Sequence, residues 1–177
     1  MKFDIDCGYN CGGMVLIDKS FLKELDDTLL YAMELLLDIK GRSELICDFA
    51  GEEWNMVRRR ETEPVQEFCN SGKMIIYLLD NAKRRCDAKP ACEIEPAAEI
   101  PELCGYLHLP TGGLLCADAC ELMQCLYYPE LEMEKETFFE LELEKGWYAI
   151  SNEYIDKIMY KKCSPQSPPF DNIQEIR

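Results

Sequence analysis

Two stretches of this chain echo each other one hundred residues apart, and that echo constrains the fold more than any other feature. Gly12-Gly13-Met14-Val15-Leu16-Ile17-Asp18 aligns with Gly112-Gly113-Leu114-Leu115-Cys116-Ala117-Asp118, and Leu22 then matches Leu122. Each copy reads as a glycine turn, four small or apolar residues and an aspartate. Four apolar residues between a glycine turn and an acid form a short buried strand, and the aspartate marks its exit. Gly105 to Asp118 as a whole predicts a β-hairpin turning at Pro110-Thr111-Gly112-Gly113. The expectation is a β-rich core with two related halves.

Periodicity extends the pattern. Residues 3–7, 14–17, 44–49 and 73–79 read as strands. Leu22, Leu25, Leu29, Met33 and Leu36 recur at helical spacing, so residues 19–39 form an N-terminal helix. Asp18 or Ser20 caps its start and Gly41 its end. Residues 54–58 fit a strand or a helical turn equally. From 130 to 145 the chain alternates. Glu130, Glu132, Glu134, Glu136, Glu140, Glu142 and Glu144 share one parity, and Leu131, Met133, Phe139, Leu141 and Leu143 the other. Period two predicts a half-buried β segment, two strands bent near Thr137, with carboxylates on one face. Residues 146–151 follow as a strand and 153–160 as a helix or turn. The fold class is α+β: an antiparallel β-sandwich or barrel-like core with an N-terminal helix and short peripheral helices. Residues 1–163 form a single domain, with a sub-boundary possible in the proline-bearing connector 88–103. Residues 164–177, with Pro165, Pro168 and Pro169, form a loose tail.

Charge narrows the partners. The 177 residues carry a net charge of −15. Residues 1–90 hold 13 basic and 17 acidic side chains, and residues 91–177 hold 6 and 17, so the excess acid lies in the second half. Phosphate backbones are repelled by such a chain, which excludes nucleic acid, and a basic protein is the expected partner. No stretch reaches the roughly 20 apolar residues of a membrane span. The start, Met1 to Asp6, lacks the apolar run of an export signal. Eleven cysteines, an odd number, with a core large enough to need no staples, point to free thiols in a cytoplasm. The oligomeric state has no sequence signature.

Several residues carry potential chemistry. The glutamate row, taken as Glu130, Glu132, Glu134, Glu140, Glu142 and Glu144, with Asp18 and Asp118 at the strand exits, is the candidate binding set. Like charges along one sheet face weaken the free protein slightly, and a cationic partner relieves that; an edge strand guarded against aggregation has the same look. The two aspartates also suit helix capping, and that reading is the stronger because helical spacing begins directly after Asp18. His108, the one histidine, alternates against Leu107 and Leu109 and so sits on an outer face. Cys7 and Cys11, and Cys116 and Cys120, are four apart, but no Cys-x-x-Cys occurs, and buried structural thiols are favoured over a metal site. Phosphate-loop, dinucleotide, nucleophile-elbow and zinc-protease motifs are absent, so no catalytic residue, metal or cofactor is assigned.

The run Gly105-x-Leu-x-Leu-Pro-Thr-Gly-x-Leu-x-x-x-Asp118, followed by Gly146-Trp-Tyr-Ala-Ile150, resembles an uncharacterised bacterial domain family. Its members carry a Leu-Pro-Ser/Thr-Gly…Asp hairpin and a later Pro-Gly-x-Tyr strand. Lys145 stands here where that family has proline, and the resemblance covers about residues 105–150. It implies a β-sandwich-like bacterial cytosolic protein and hands over no activity. The leading expectation is a non-enzymatic acidic binding protein for a basic protein partner, immunity- or antitoxin-like. A small-molecule hydrolase or metal-dependent enzyme using Asp18, His108 and Asp118 is the alternative, and a structural or scaffold domain a third.

Overall fold

A computed structural model describes residues 2–4, 13–41, 60–79, 91–100, 104–133, 138–154 and 157–176. The expected strand at 44–49 and the ambiguous segment 54–58 lie outside them. Two five-stranded sheets face each other, and helices cover one of them, so the chain forms an α+β sandwich. The front sheet has the order β1 (Lys2–Asp4), β4 (Ala91–Pro96), β9 (Lys157–Cys163), β8 (Gly146–Tyr154), β5 (Gly105–Leu109). The middle sheet has the order β10 (Ile173–Ile176), β3 (Met74–Leu79), β2 (Gly13–Asp18), β6 (Gly113–Asp118), β7 (Phe138–Glu142). A 3-10 helix (Lys19–Glu24), α1 (Asp27–Gly41), α2 (Glu63–Asn70) and α3 (Ala119–Tyr127) complete the described elements. Both sheets stay open, so the core is a sandwich and not a barrel.

The layering explains why β2, β3 and β6 read as unbroken apolar runs. A strand buried on both faces has no polar side to alternate with. Met14, Leu16, Ile75, Tyr77, Leu114 and Cys116 point into the sandwich, where they meet Leu107, Leu109, Tyr148, Ile150 and Ile158 of the front sheet. Their neighbours Val15, Ile17, Met74, Ile76, Leu115 and Ala117 point the other way, onto the helices, against Leu30, Met33, Val65, Phe68 and Leu122. β5 has a single covered face and alternates as expected, with Leu107 and Leu109 buried and Tyr106 and His108 only partly so.

The echo is structural. β2 and β6 lie side by side, antiparallel, with Leu16 opposite Cys116, Val15 opposite Ala117 and Ile17 opposite Leu115. Leu16 therefore faces its own counterpart, and wherever two residues face each other their counterparts do so too, as a two-fold axis through the Leu16–Cys116 pair requires. The order of the sheets obeys the same axis. In the middle sheet β3-β2 mirrors β7-β6, and in the front sheet β1-β4 mirrors β5-β8. Each half is a front strand, a middle strand, a helical segment, a middle strand and a front strand. β9 lies between the halves, parallel to β4 and antiparallel to β8, and β10 is added beside β3.

Several expectations need correction. The segment 105–118 is not a hairpin, because β5 pairs with β8 in one sheet while β6 pairs with β2 and β7 in the other. Packed sheets lie about 10 Å apart, a gap that four residue steps at about 3.3 Å each can cross. Pro110-Thr111-Gly112 makes that crossing. Gly112 has φ of +86°, and a Cβ there would sit 2.2 Å from the Leu143 carbonyl oxygen, so only glycine fits. The proline-bearing connector 88–103 contains β4, which pairs with both β1 and β9. Of residues 153–160, expected as a helix or turn, 153–154 end β8 and 157–160 begin β9, so these positions are strand. The long helix at 19–39 is a 3-10 helix followed by α1.

The tail expected to be loose is anchored. Its β10 runs parallel to β3, Phe170 is buried, and Asn172 is fully buried. The Asn172 amide nitrogen donates to the carbonyls of Cys69, Met74 and Tyr106 at 2.8, 3.0 and 2.8 Å, and its oxygen accepts from the Tyr106 N–H at 2.9 Å. The prolines suppress secondary structure locally, but buried polar groups of the fold find their partner in this residue.

Candidate functional site

Asp18 and Asp118 occupy matching strand exits and both cap helices. The Asp118 carboxylate accepts from the N–H groups of Cys120 and Glu121 at 2.9 and 3.1 Å. Asp18 accepts from the Ser20 N–H and hydroxyl at 2.9 and 2.6 Å, and from the Thr111 N–H and hydroxyl at 3.1 and 2.7 Å. Burial alone pushes the Asp18 carboxyl upward, but the bonds from Ser20 and Thr111 outweigh it and hold the group below its ordinary value. Because β2 and β6 are antiparallel, the two aspartates lie at opposite ends of the pair, Asp18 beside Leu114 and Asp118 beside Met14. Four residues of strand separate those ends, about 13 Å. The structure does not bring them together.

His108 stands on the outer face of the front sheet, stacked on Trp147 at 4.6 Å between ring centroids. Phe170 meets the edge of the same indole at 5.5 Å and Tyr106 at 5.2 Å. The histidine is thus part of an aromatic cluster that fastens the C-terminal segment to the sheet. Cys69, Cys104, Cys116, Cys120, Cys125 and Cys163 are free thiols. Burial pushes the Cys69 thiol far up and raises Cys104, Cys125 and Cys163, with the Glu121 charge adding to Cys125. A raised thiol is protonated at neutral pH, opposite to what a nucleophile or metal ligand requires.

The glutamates separate into three groups. Glu140 and Glu142 stand on β7 on the face turned away from the front sheet, with Phe139 buried on the other side, so alternation holds over this strand. Both carboxylates bind Lys19, at 3.0 and 2.9 Å. Lys19 reaches them by lying across Gly113, where a Cβ would come within 2.6 Å of its Cε. Glu144 pairs with Lys162 at 2.5 Å, which holds the Glu144 carboxyl below its ordinary value. Glu130 and Glu132 lie on no strand: they follow α3 in a turn closed by the Leu131 N–H to Tyr128 carbonyl bond of 2.8 Å. Glu134 falls outside the described residues. The row therefore does not form one face.

Sequence reasoning missed a surface on the helical layer. Tyr31, Tyr127, Tyr128 and Leu131 are the large apolar side chains that the described residues leave exposed, at 51%, 40%, 56% and 48%. α1 packs beside α3. Asp27, Tyr31 and Glu34 follow one another at spacings of four and three along α1, so they share one face. Tyr127 lies across from it: burial raises its hydroxyl pKa, and the charges of Glu34 and Asp27 raise it further. The signal was present in Tyr31, which falls off the apolar stripe of its helix, and in the pair Tyr127-Tyr128 at a helix end. Asp27, Glu34, Glu130 and Glu132 make no ion pair with any described residue.

Among the described residues no helix is long and apolar enough to cross a membrane. No family model, curated protein or solved structure matches this chain.

Proposed function

We propose that this is a non-enzymatic, acidic binding protein for a basic protein partner, working in the manner of an immunity or antitoxin-type inhibitor. The observation that carries the reading is the net charge of −15, concentrated in the half that contains β7 and α3. A field of one sign over a surface speeds encounter with an oppositely charged protein and selects against acidic ones. The separation of Asp18 from Asp118 and the raised thiols also favour binding over catalysis. The test is affinity capture with the full chain from the cells that make it, at about 0.05 M and about 0.5 M salt, where screening shrinks the reach of surface charge to a few ångströms. One basic protein held in fixed stoichiometry, and released as salt rises, is the expected result. A stoichiometric partner that is acidic, or no partner at low salt, overturns the reading.

A further inference from the structure

Two acidic surfaces compete for the role of docking site, and their chemistry differs. On the β7 side the carboxylates already hold internal cations: Lys19 lies between Glu140 and Glu142, and Lys162 holds Glu144. A partner would have to displace those lysines to gain anything. On the helical side, Asp27, Glu34, Glu130 and Glu132 hold no cation among the described residues. They alternate with Tyr31, Tyr127, Tyr128 and Leu131, the exposed large apolar side chains noted above. Exposed apolar residues scattered singly need no explanation, but their gathering in one region marks an interaction surface.

We propose that the partner docks on this helical surface through an arginine-bearing segment, whose guanidinium groups stack on the tyrosines and bond to the flanking carboxylates. The inference rests on the binding function proposed above and gives it a place. Tyrosine offers a flat apolar ring with a polar tip, and an arginine laid on that ring gains from both stacking and the ring's negative face. The guanidinium fork then meets a carboxylate with two parallel bonds, which a lysine ammonium cannot do. Asp27 and Glu34 flank Tyr31 on α1 and act on Tyr127 across from it, and Glu130 and Glu132 adjoin Leu131 in the chain. A second copy of the chain would bring acid against acid, and nucleic acid is repelled by the same charges.

The experiment follows backbone amide signals of the full chain by NMR during titration with two synthetic helical peptides of equal length. One carries leucine and arginine at alternating turns, and the other has glutamate in place of arginine. The arginine peptide should shift the amides of residues 27–34 and 127–132, and the glutamate peptide should shift none. The Tyr31→Ser/Tyr128→Ser double variant should bind the arginine peptide about ten-fold more weakly, with an unchanged circular dichroism spectrum because both positions are exposed. The Glu140→Gln/Glu142→Gln/Glu144→Gln variant should bind it as the wild type does. Shifts centred on residues 138–144, or weakening only in the triple variant, overturn the location and leave the binding function standing. Shifts at 27–34 and 127–132 on raising protein concentration without peptide identify a second copy as occupant, and likewise overturn it. No shift with the arginine peptide overturns the arginine recognition. The binding function falls separately, if capture from cells yields no basic partner.

Discussion

At the scale of single residues, the molecule leans on a few polar side chains that do more than one task. Asn172 is the clearest. Fully buried, it serves three backbone carbonyls and one backbone N–H drawn from α2, β3 and β5. An unsatisfied buried polar group costs about 1–3 kcal/mol. Asn172→Ala strands the Tyr106 N–H and deprives several carbonyls at once, so a loss of about 3 kcal/mol or more in urea unfolding is expected. A loss below about 1 kcal/mol would show that water or rearrangement replaces the side chain. Nothing in the local sequence announces this role. Asn172 lies between prolines and a short strand, and its partners are about 70 to 100 residues away. Asp18 and Asp118 are the opposite case. Their caps were legible because an aspartate directly before a helical run is a local signal.

Elements differ in legibility for the same physical reason. Strands were found wherever burial imposed a pattern within a few residues: the apolar runs of β2, β3 and β6, and the alternation of β5 and β7. Connections were misread, because whether two adjacent strands pair or cross between sheets depends on distant partners. The β5–β6 crossing is held by Asp18, which bonds both polar groups of Thr111 while capping the 3-10 helix. At the candidate docking surface, the acids were legible as composition, but the tyrosines became a surface only once α1 and α3 packed together. Asp18 gives this junction a pH dependence. Its carboxyl is held below the ordinary value of about 3.9. A depressed carboxyl contributes stability that is fully present above the unfolded value and is lost as pH falls through the folded one. Asp18→Asn should therefore lower the melting temperature at pH 7 and flatten its decline on acidification below about pH 4. Thermal melts across that range decide it, and parallel curves for variant and wild type would remove Asp18 from the acid transition.

For the whole molecule, the echo of seven residues was the visible edge of a two-fold correspondence that orders both sheets. Its remainder was hidden because the two halves differ in the length of their helical segments, and matched buried strands share burial, not side-chain identity. The two-fold also leaves one place that no pair of equivalent strands can fill. A strand lying on such an axis has no counterpart, and it must run with one half and against the other, as β9 does with β4 and β8. Among the described strands, the two halves of the front sheet are joined through β9. A chain ended after Tyr154 should accordingly lose cooperative melting and amide protection in β4 and β8, whereas one ended after Cys163 should keep that protection and lose only the contributions of Phe170, Asn172 and β10. Retained protection in the shorter chain would show that the halves associate without the central strand. The arrangement also carries a temporal implication. Synthesis proceeds from the N-terminus, so both halves emerge before the strand that bridges them, and the front sheet stays open along its middle until residues 157–163 arrive. Two exposed strand edges wait there for a single occupant, which makes that interval the period when a stray strand from another chain competes most effectively with the protein's own.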